Sequence, residues 1–266
     1  MKKQFKLLAL IFSVGLIVAG FTQCSKADVS STTSFPKTSV ADQMDLLAEA
    51  EASDAETNDI TTCIYTCING MPIQELSETE INALNFIREE EFLAHDIYVA
   101  LYAAYNIPVF NNISKSENIH TTAIRVLMEK YALADPAADH VNGVFTNPDI
   151  QALYDALLAQ GMLSINDAIV VGATIEDYDI ADLVAHIDEG IDNEDILFVL
   201  QKLYKGSRNH LRAFYAHLQF RNISYTPQFI SLELYNEIVT SDWEFGNGFC
   251  SCEQTATGSA VNIQTR

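Results

Sequence analysis

The segment Asn112-Ile113-Ser114-Lys115-Ser116-Glu117-Asn118-Ile119-His120-Thr121-Thr122-Ala123-Ile124 carries the pattern from which the architecture of this chain can be inferred. Sampled at the alternating steps of three and four residues that share one face of a helix, it yields Ile113, Glu117, His120 and Ile124. The stripe continues through Leu127 and Tyr131. This face is apolar except for one carboxylate and one imidazole, a turn apart, in its middle. The helix is expected from about Asn112 to Leu133, with Asp135-Pro136 stopping it.

Three further segments repeat the pattern. Ser77-Glu78-Thr79-Glu80 is a capping box, in which the Ser side chain and the Glu three places on satisfy each other's backbone donors, and it opens a helix ending near Tyr105. The stripe of that helix runs Leu84, Ile87, Glu91, Ala94, Tyr98 and Leu101. A helix from Ser164 to about Glu189 carries Ile169, Gly172, Glu176, Asp179 and Leu183, with His186 at its end. Another from about Asn193 to Arg221 carries Leu200, Leu203, Ser207, His210 and Phe214, with His217 at its end. Thr146-Asn147-Pro148 begins a short accessory helix that Gly161 closes, and residues 224–239 predict one more short helix packed on the others. The expected architecture is all-α: a four-helix bundle over residues 77–240, with the accessory helix between its second and third members.

Each bundle helix thus aims polar residues at the middle of one common core. A buried, isolated carboxylate costs several kcal/mol, so something must compensate the set. A closed polar network is one solution. A metal is the other, because a cation neutralises several carboxylates while neutral imidazoles complete its shell. A lone Glu-x-x-His is weak as a motif; agreement in register among four helices is what carries the metal reading. His95 falls one step off its stripe, and His186 and His217 lie where helices splay towards water, so none of the three is expected to be a ligand. Tyr98 reads as core, or as a phenol beside the centre.

Outside the bundle, composition narrows the function. The chain of 266 residues carries 15 basic and 36 acidic side chains, a net charge of −21, which repels a phosphate backbone and argues against nucleic acid as a partner. Lys2, Lys3 and Lys6 precede an apolar run from Leu7 to Phe21, the layout of an export signal and short for a membrane span. Cys24-Ser25-Lys26 resembles a bacterial lipoprotein processing site, making Cys24 the candidate for lipidation and a lipid anchor the contact with the membrane; a cut after Ala27 is the alternative. Both readings place the mature chain outside the cytoplasm. The expected organisation is an export signal at 1–24, a flexible acidic tether at 25–60, a Cys-containing lead-in at 61–76, the bundle at 77–240 and a Cys-containing tail at 241–266. Cys63, Cys67, Cys250 and Cys252 read as disulfide partners stapling lead-in to tail, with a four-thiolate metal site as the other reading of the same residues.

Residues Arg88-Glu89-Glu90-Glu91-Phe92-Leu93-Ala94-His95-Asp96-Ile97-Tyr98, Pro108-Val109-Phe110, Ser116-Glu117-Asn118-Ile119-His120, Phe145-Thr146-Asn147-Pro148 and Gly206-Ser207-Arg208-Asn209-His210-Leu211 carry a family resemblance. From about Leu84 to Phe214 the chain resembles ferritin-like proteins and, within them, the group called domain of unknown function 2202. The spacing of Glu91, Ala94 and Tyr98 also looks like rubrerythrin. The resemblance implies a di-iron centre reacting with oxygen or peroxide, with Glu91, Glu117, His120, Glu176 and His210 as ligands. Ser207 departs from the pattern, since such centres take a Glu there, and Asp179, a turn after Glu176, is the candidate to replace it. One metal per chain, or another divalent metal, fits the same departure. The expected function is an exported non-haem iron oxidoreductase of ferroxidase or peroxidase type; the alternative is a non-catalytic metal-binding or structural surface lipoprotein. A homodimer is an assembly that the bundle allows.

Overall fold

The computed structural model describes residues 54–246 and 248–250, and every described residue outside a turn or loop is helical. Helix α1 spans Asp54–Gly70, α2 Glu78–Tyr105, α3 Pro108–Lys130, α4 Pro148–Gly161, α5 Ile165–Asp188, α6 Glu194–Phe220 and α7 Leu232–Thr240, and a 3-10 turn follows at Gly248–Cys250. Local chemistry fixes many of the boundaries. Ser77 and Glu80 form the expected capping box, and α2 ends where Asn106 turns left-handed at φ 51°. Asn147, Ser164 and Ser231 cap the starts of α4, α5 and α7 by accepting from backbone amides. Helix α3 starts at Pro108 rather than near Asn112, because proline is preset for the first turn and Val109 and Phe110 are buried there.

Packing divides the long helices into two pairs. α2 lies against α3 and α5 against α6, and the pairs meet through α3 with α6 and α2 with α5. α4 packs on α2 and α5, while α7 packs on α6. Ile87, Ile124, Leu183 and Leu203 belong to an aliphatic cluster on one side of the polar steps, and the rings of Tyr98, Phe110 and Phe214 cluster on the other. Gly172 makes room for that ring cluster, since a Cβ there would stand 2.2 Å from Phe214.

Two expectations change at the ends of this fold. The tether read as far as residue 60 gives way at Asp54 to α1, which continues through the lead-in and buries Ile64, Cys67 and Ile68. Their spacing of three and four is amphipathic, and α1 uses it to pack on α3. The short helix expected within 224–239 is confined to α7, because the amides of Gln228 and Ile230 turn inward to the buried Asp177 carboxylate. Cys63 and Cys250 are joined in a disulfide, which withdraws both sulfurs from any thiolate metal site and pins the 3-10 turn to α1. Cys67 is disulfide-bonded too. Cys252, Cys24, the export signal and the first part of the tether lie outside the described residues.

His217, near the end of α6, is 6% exposed, and burial with a smaller push from Arg221 brings its pKa down to about 4 from 6.5. Between those values the unfolded chain holds a proton that the folded chain does not. Stability present above about pH 6.5 is therefore lost as pH falls towards about 4, by up to about 3 kcal/mol at 1.36 kcal/mol per unit. Urea unfolding of His217→Phe should show a correspondingly smaller loss across that window than the wild type. Identical losses in the two proteins would mean that His217 charges freely in the folded state.

Candidate metal centre

Where the two helix pairs meet, Glu91 of α2, Glu117 and His120 of α3, Glu176 of α5 and His210 of α6 come together, each no more than 8% exposed. They form two overlapping triads, Glu91 with Glu117 and His120, and Glu117 with Glu176 and His210. Within each triad one ligating atom per residue lies within 4.8 Å of the others. Glu117 belongs to both. Its Oε2 stands 2.8 Å from His120 Nδ1, and its Oε1 stands 2.9 Å from His210 Nδ1. The carboxylate therefore spans the two triads, with one oxygen turned to each.

The outer carboxylates complete the pattern. Glu91 Oε2 lies 3.0 Å from His120 Nδ1, and Glu176 Oε2 lies 3.4 Å from His210 Nδ1. Both imidazoles thus present Nδ1 inward. On the far side of the ring, His210 Nε2 lies 2.9 Å from Ser116 Oγ, and a proton held in that hydrogen bond leaves Nδ1 as the free lone pair. The hydroxyl of Tyr98 donates to Glu176 Oε1 at 2.5 Å, so the phenol stands beside the centre as well as within the ring cluster. Burial, followed by the Glu176 charge, pushes the Tyr98 phenol well above its ordinary value and keeps it a donor. Gly206 lets α6 approach: a Cβ there would lie 2.6 Å from His120 Nε2.

Electrostatics show what the site lacks. Burial lifts Glu91 to about 7 against the pull of His120. Burial likewise raises Glu176, with His210 opposing it. Burial would raise Glu117 too, but His210 and His120 outweigh it and hold that carboxyl below the usual range. Both imidazoles are pushed up in spite of burial, His120 by Glu91 and Glu117, and His210 to about 10 by Glu117 and Glu176. Without a metal, then, protons supply the positive charge. They do so incompletely, since Glu91 Oε1 has no hydrogen-bond partner and the 2.9 Å approach to His210 Nδ1 is not aligned as a bond. Mixed oxygen and nitrogen donors, a carboxylate shared by two triads and unpartnered buried atoms facing inward fit a pair of divalent cations.

The remaining candidates sit at the edge. Asp179 is buried, and its Oδ2 accepts the hydroxyl proton of Ser207, which also lies 3.0 Å from the Leu203 carbonyl. Asp179 belongs to neither triad, yet its Oδ1 is unpartnered, and after burial the charges that raise it most are Glu91, Glu176 and Glu117. His95 is bonded to the buried Asp96, and His186 contacts Asp182, so neither enters the triads. Glu90, which a single narrow stripe along α2 passes over, is buried with neither oxygen hydrogen-bonded and belongs to neither triad.

The family described as Uncharacterized protein domain (DUF2202) matches residues 80–242, which contain the whole centre. The chain is 48% identical over 179 residues to the uncharacterized protein MJ0754 of Methanocaldococcus jannaschii, covering 67% of this chain and 96% of that one. The crystal structure of hypothetical protein MJ0754 from Methanococcus jannaschii DSM 2661 superposes with a TM-score of 0.64 at 48% identity, covering 65% of this chain and 99% of that chain.

Gly206→Ala tests the close approach at His120. The added methyl must displace the imidazole, and overpacking of this kind costs about 1–3 kcal/mol. Thermal melting should show the loss, and an unchanged midpoint would mean that the ring has room to move.

Proposed function

The chain belongs to the DUF2202 family, and we propose that it is a ferritin-like protein whose two triads hold a pair of irons that react with oxygen or peroxide, as a ferroxidase or peroxidase. The observation that carries this reading is Glu117, one buried carboxylate turning an oxygen to each of two inward-facing histidine nitrogens. The order of donors along the chain supports the ferritin-like assignment: Glu91, then Glu117 with His120, then Glu176, then His210. Bound iron would supply the redox chemistry with oxygen or peroxide.

The protein's own part is to bind, orient and enclose. Glu117 fixes the separation of the two positions, and Ser116 fixes which nitrogen of His210 faces them. Tyr98 restrains the outer carboxylate of the second triad. The aliphatic cluster and the ring cluster keep bulk water from both ends. His210, at 8% exposure, is the least covered of the five residues, so an oxidant reaching the centre must be small, which suits oxygen or peroxide better than a bulky organic substrate. The Cys63–Cys250 disulfide supports export to an oxidising compartment, with a lipid anchor at Cys24.

One observation favours the rival, a metal-binding protein without turnover. Ser207 stands where the second Glu-x-x-His motif takes its Glu, and its hydroxyl, committed to Asp179 and Leu203, brings no charge of its own.

Elemental analysis of protein folded with ferrous iron should find about two irons per chain. Glu117→Ala should lose both, whereas His120→Ala and His210→Ala should each weaken the position on their own side. Circular dichroism would check that all three variants keep their helices. Iron retained at the wild-type level in folded Glu117→Ala sinks the reading. With iron bound, an optical spectrum that changes on adding peroxide and recovers with a reductant supports the oxidoreductase; a spectrum that stays fixed supports the rival.

A further inference from the structure

Where α6 ends, the chain that leads to α7 folds back and encloses a space. Asn222 turns left-handed at φ 55° just after the helix. The buried Asp177 carboxylate of α5 then draws the chain inward, accepting from the amides of Gln228 and Ile230 and, at 2.8 Å, from the Tyr225 hydroxyl. Ser231 starts α7, which lays Tyr235 against Tyr215 of α6. Between these segments lies a cavity of about 410 Å³ with Tyr215, Tyr225 and Tyr235 in its lining. That volume is within the range of small-molecule sites, about 300–1,000 Å³.

The lining narrows what the cavity can hold. Tyr235 meets Tyr215 edge to face, at 80° with 6.3 Å between centroids, and meets Tyr225 at 47° with 5.7 Å between centroids. Rings set at such angles wall a space from several directions, whereas a planar ligand calls for parallel walls. A cation is attracted by an aromatic face within about 6 Å of its centroid, so centroids this close bring one cation under more than one ring. Gln219, Asn222 and Ser224, all exposed, stand at the mouth, and two aliphatic side chains complete the lining. Among the described residues, none that line the cavity is charged. An anion finds no lysine or arginine there, and a metal ion finds no carboxylate or imidazole to replace its water.

We propose that this cavity binds a small organic cation of the quaternary ammonium type, with the rings of Tyr215, Tyr225 and Tyr235 as its walls. Such a cation is weakly hydrated, asks for no hydrogen bond at its methyl groups and gains from aromatic faces. Asp177 stands behind the wall, and its charge acts through the Tyr225 phenol that donates to it. The amides and hydroxyl at the mouth suit the polar tail that these compounds carry. A net charge of −21 on the chain adds a long-range pull on any cation. The site rests on its own residues and does not require the iron chemistry proposed above.

The test is calorimetric titration of the full chain with choline and with the neutral alcohol that has carbon in place of the nitrogen. Choline is expected to bind at least about tenfold more tightly than the alcohol. Tyr215→Phe, which keeps the ring, should bind choline as the wild type does, while Tyr215→Leu should lose most of the affinity. Tyr215 is half-buried, so both variants should keep their helices, which circular dichroism would check. Sedimentation with phosphatidylcholine vesicles identifies the source of the cation: vesicle binding that Tyr215→Leu abolishes assigns it to a lipid headgroup, and choline binding without vesicle binding assigns it to a free solute. Equal affinity for choline and the alcohol, no choline binding up to about 10 mM, or wild-type affinity in Tyr215→Leu overturns the proposal. If Tyr215→Leu does not fold, the two ligands compared on the wild type decide alone.

Discussion

Five carboxylates, Glu90, Glu91, Glu117, Glu176 and Asp179, share one level of this protein with only two imidazoles turned towards them, and each is buried to 94% or more. Low dielectric strengthens every repulsion among them and makes each unpaired charge expensive. The helices cannot slide past one another without moving these groups out of mutual reach, and they cannot pack as they do without bringing them together. The polar level is therefore the constraint on register for α2, α3, α5 and α6. Apolar packing alone would tolerate exchanges of one Leu or Ile layer for the next.

The layers on either side make that constraint affordable in different ways. The aliphatic side is reinforced by polar ties at its margin: Lys130 pairs with Asp195 at 2.6 Å, and Glu80 accepts from the amides of Asp192 and Asn193. α1 extends this side, and the disulfide closes the chain back upon it. The opposite side is made of large rings and one glycine, which allows the phenol of Tyr98 to reach from the ring cluster to Glu176. A residue that looks like core in its spacing is thus also the donor that holds an outer carboxylate.

Periodicity made the long helices legible, since an apolar stripe interrupted at one level is a signal local to each helix. Ser77 with Glu80, Pro148 and Ser164 marked their starts equally well. α1 was hidden, because it emerges from an acidic stretch poor in apolar residues and because its value lies in packing on α3 and in a disulfide 187 residues away in sequence. The buried carboxylates were separable only in part. Glu91 could be picked out because it falls on the stripe, but Glu89 and Glu90 look alike in sequence, and the difference is that the α3–α4 loop offers its amides to Glu89, whereas the charges acting most on Glu90 are carboxylates of α5 and α2. Asp177 is similar: its partners are the Tyr225 hydroxyl and backbone amides beyond α6, and no local periodicity encodes them.

Ser207 looks at first like a missing charge, yet the inventory around the triads argues otherwise. A complete set with Glu-x-x-His on two helices has four carboxylates and two imidazoles. Here Glu91, Glu117 and Glu176 supply three of the carboxylates, and Asp179 brings a fourth from α5 rather than α6. The hydroxyl of Ser207 is the group that faces it, donating a hydrogen bond across the helix pair. A Glu at 207 would put a second buried carboxylate against Asp179, whereas Ser is short enough to leave the space and holds the existing one by its proton. Ser207 and Asp179 are then one feature: Asp179 is a fourth buried carboxylate beside the triads, and the serine hydroxyl of the neighbouring helix is its support.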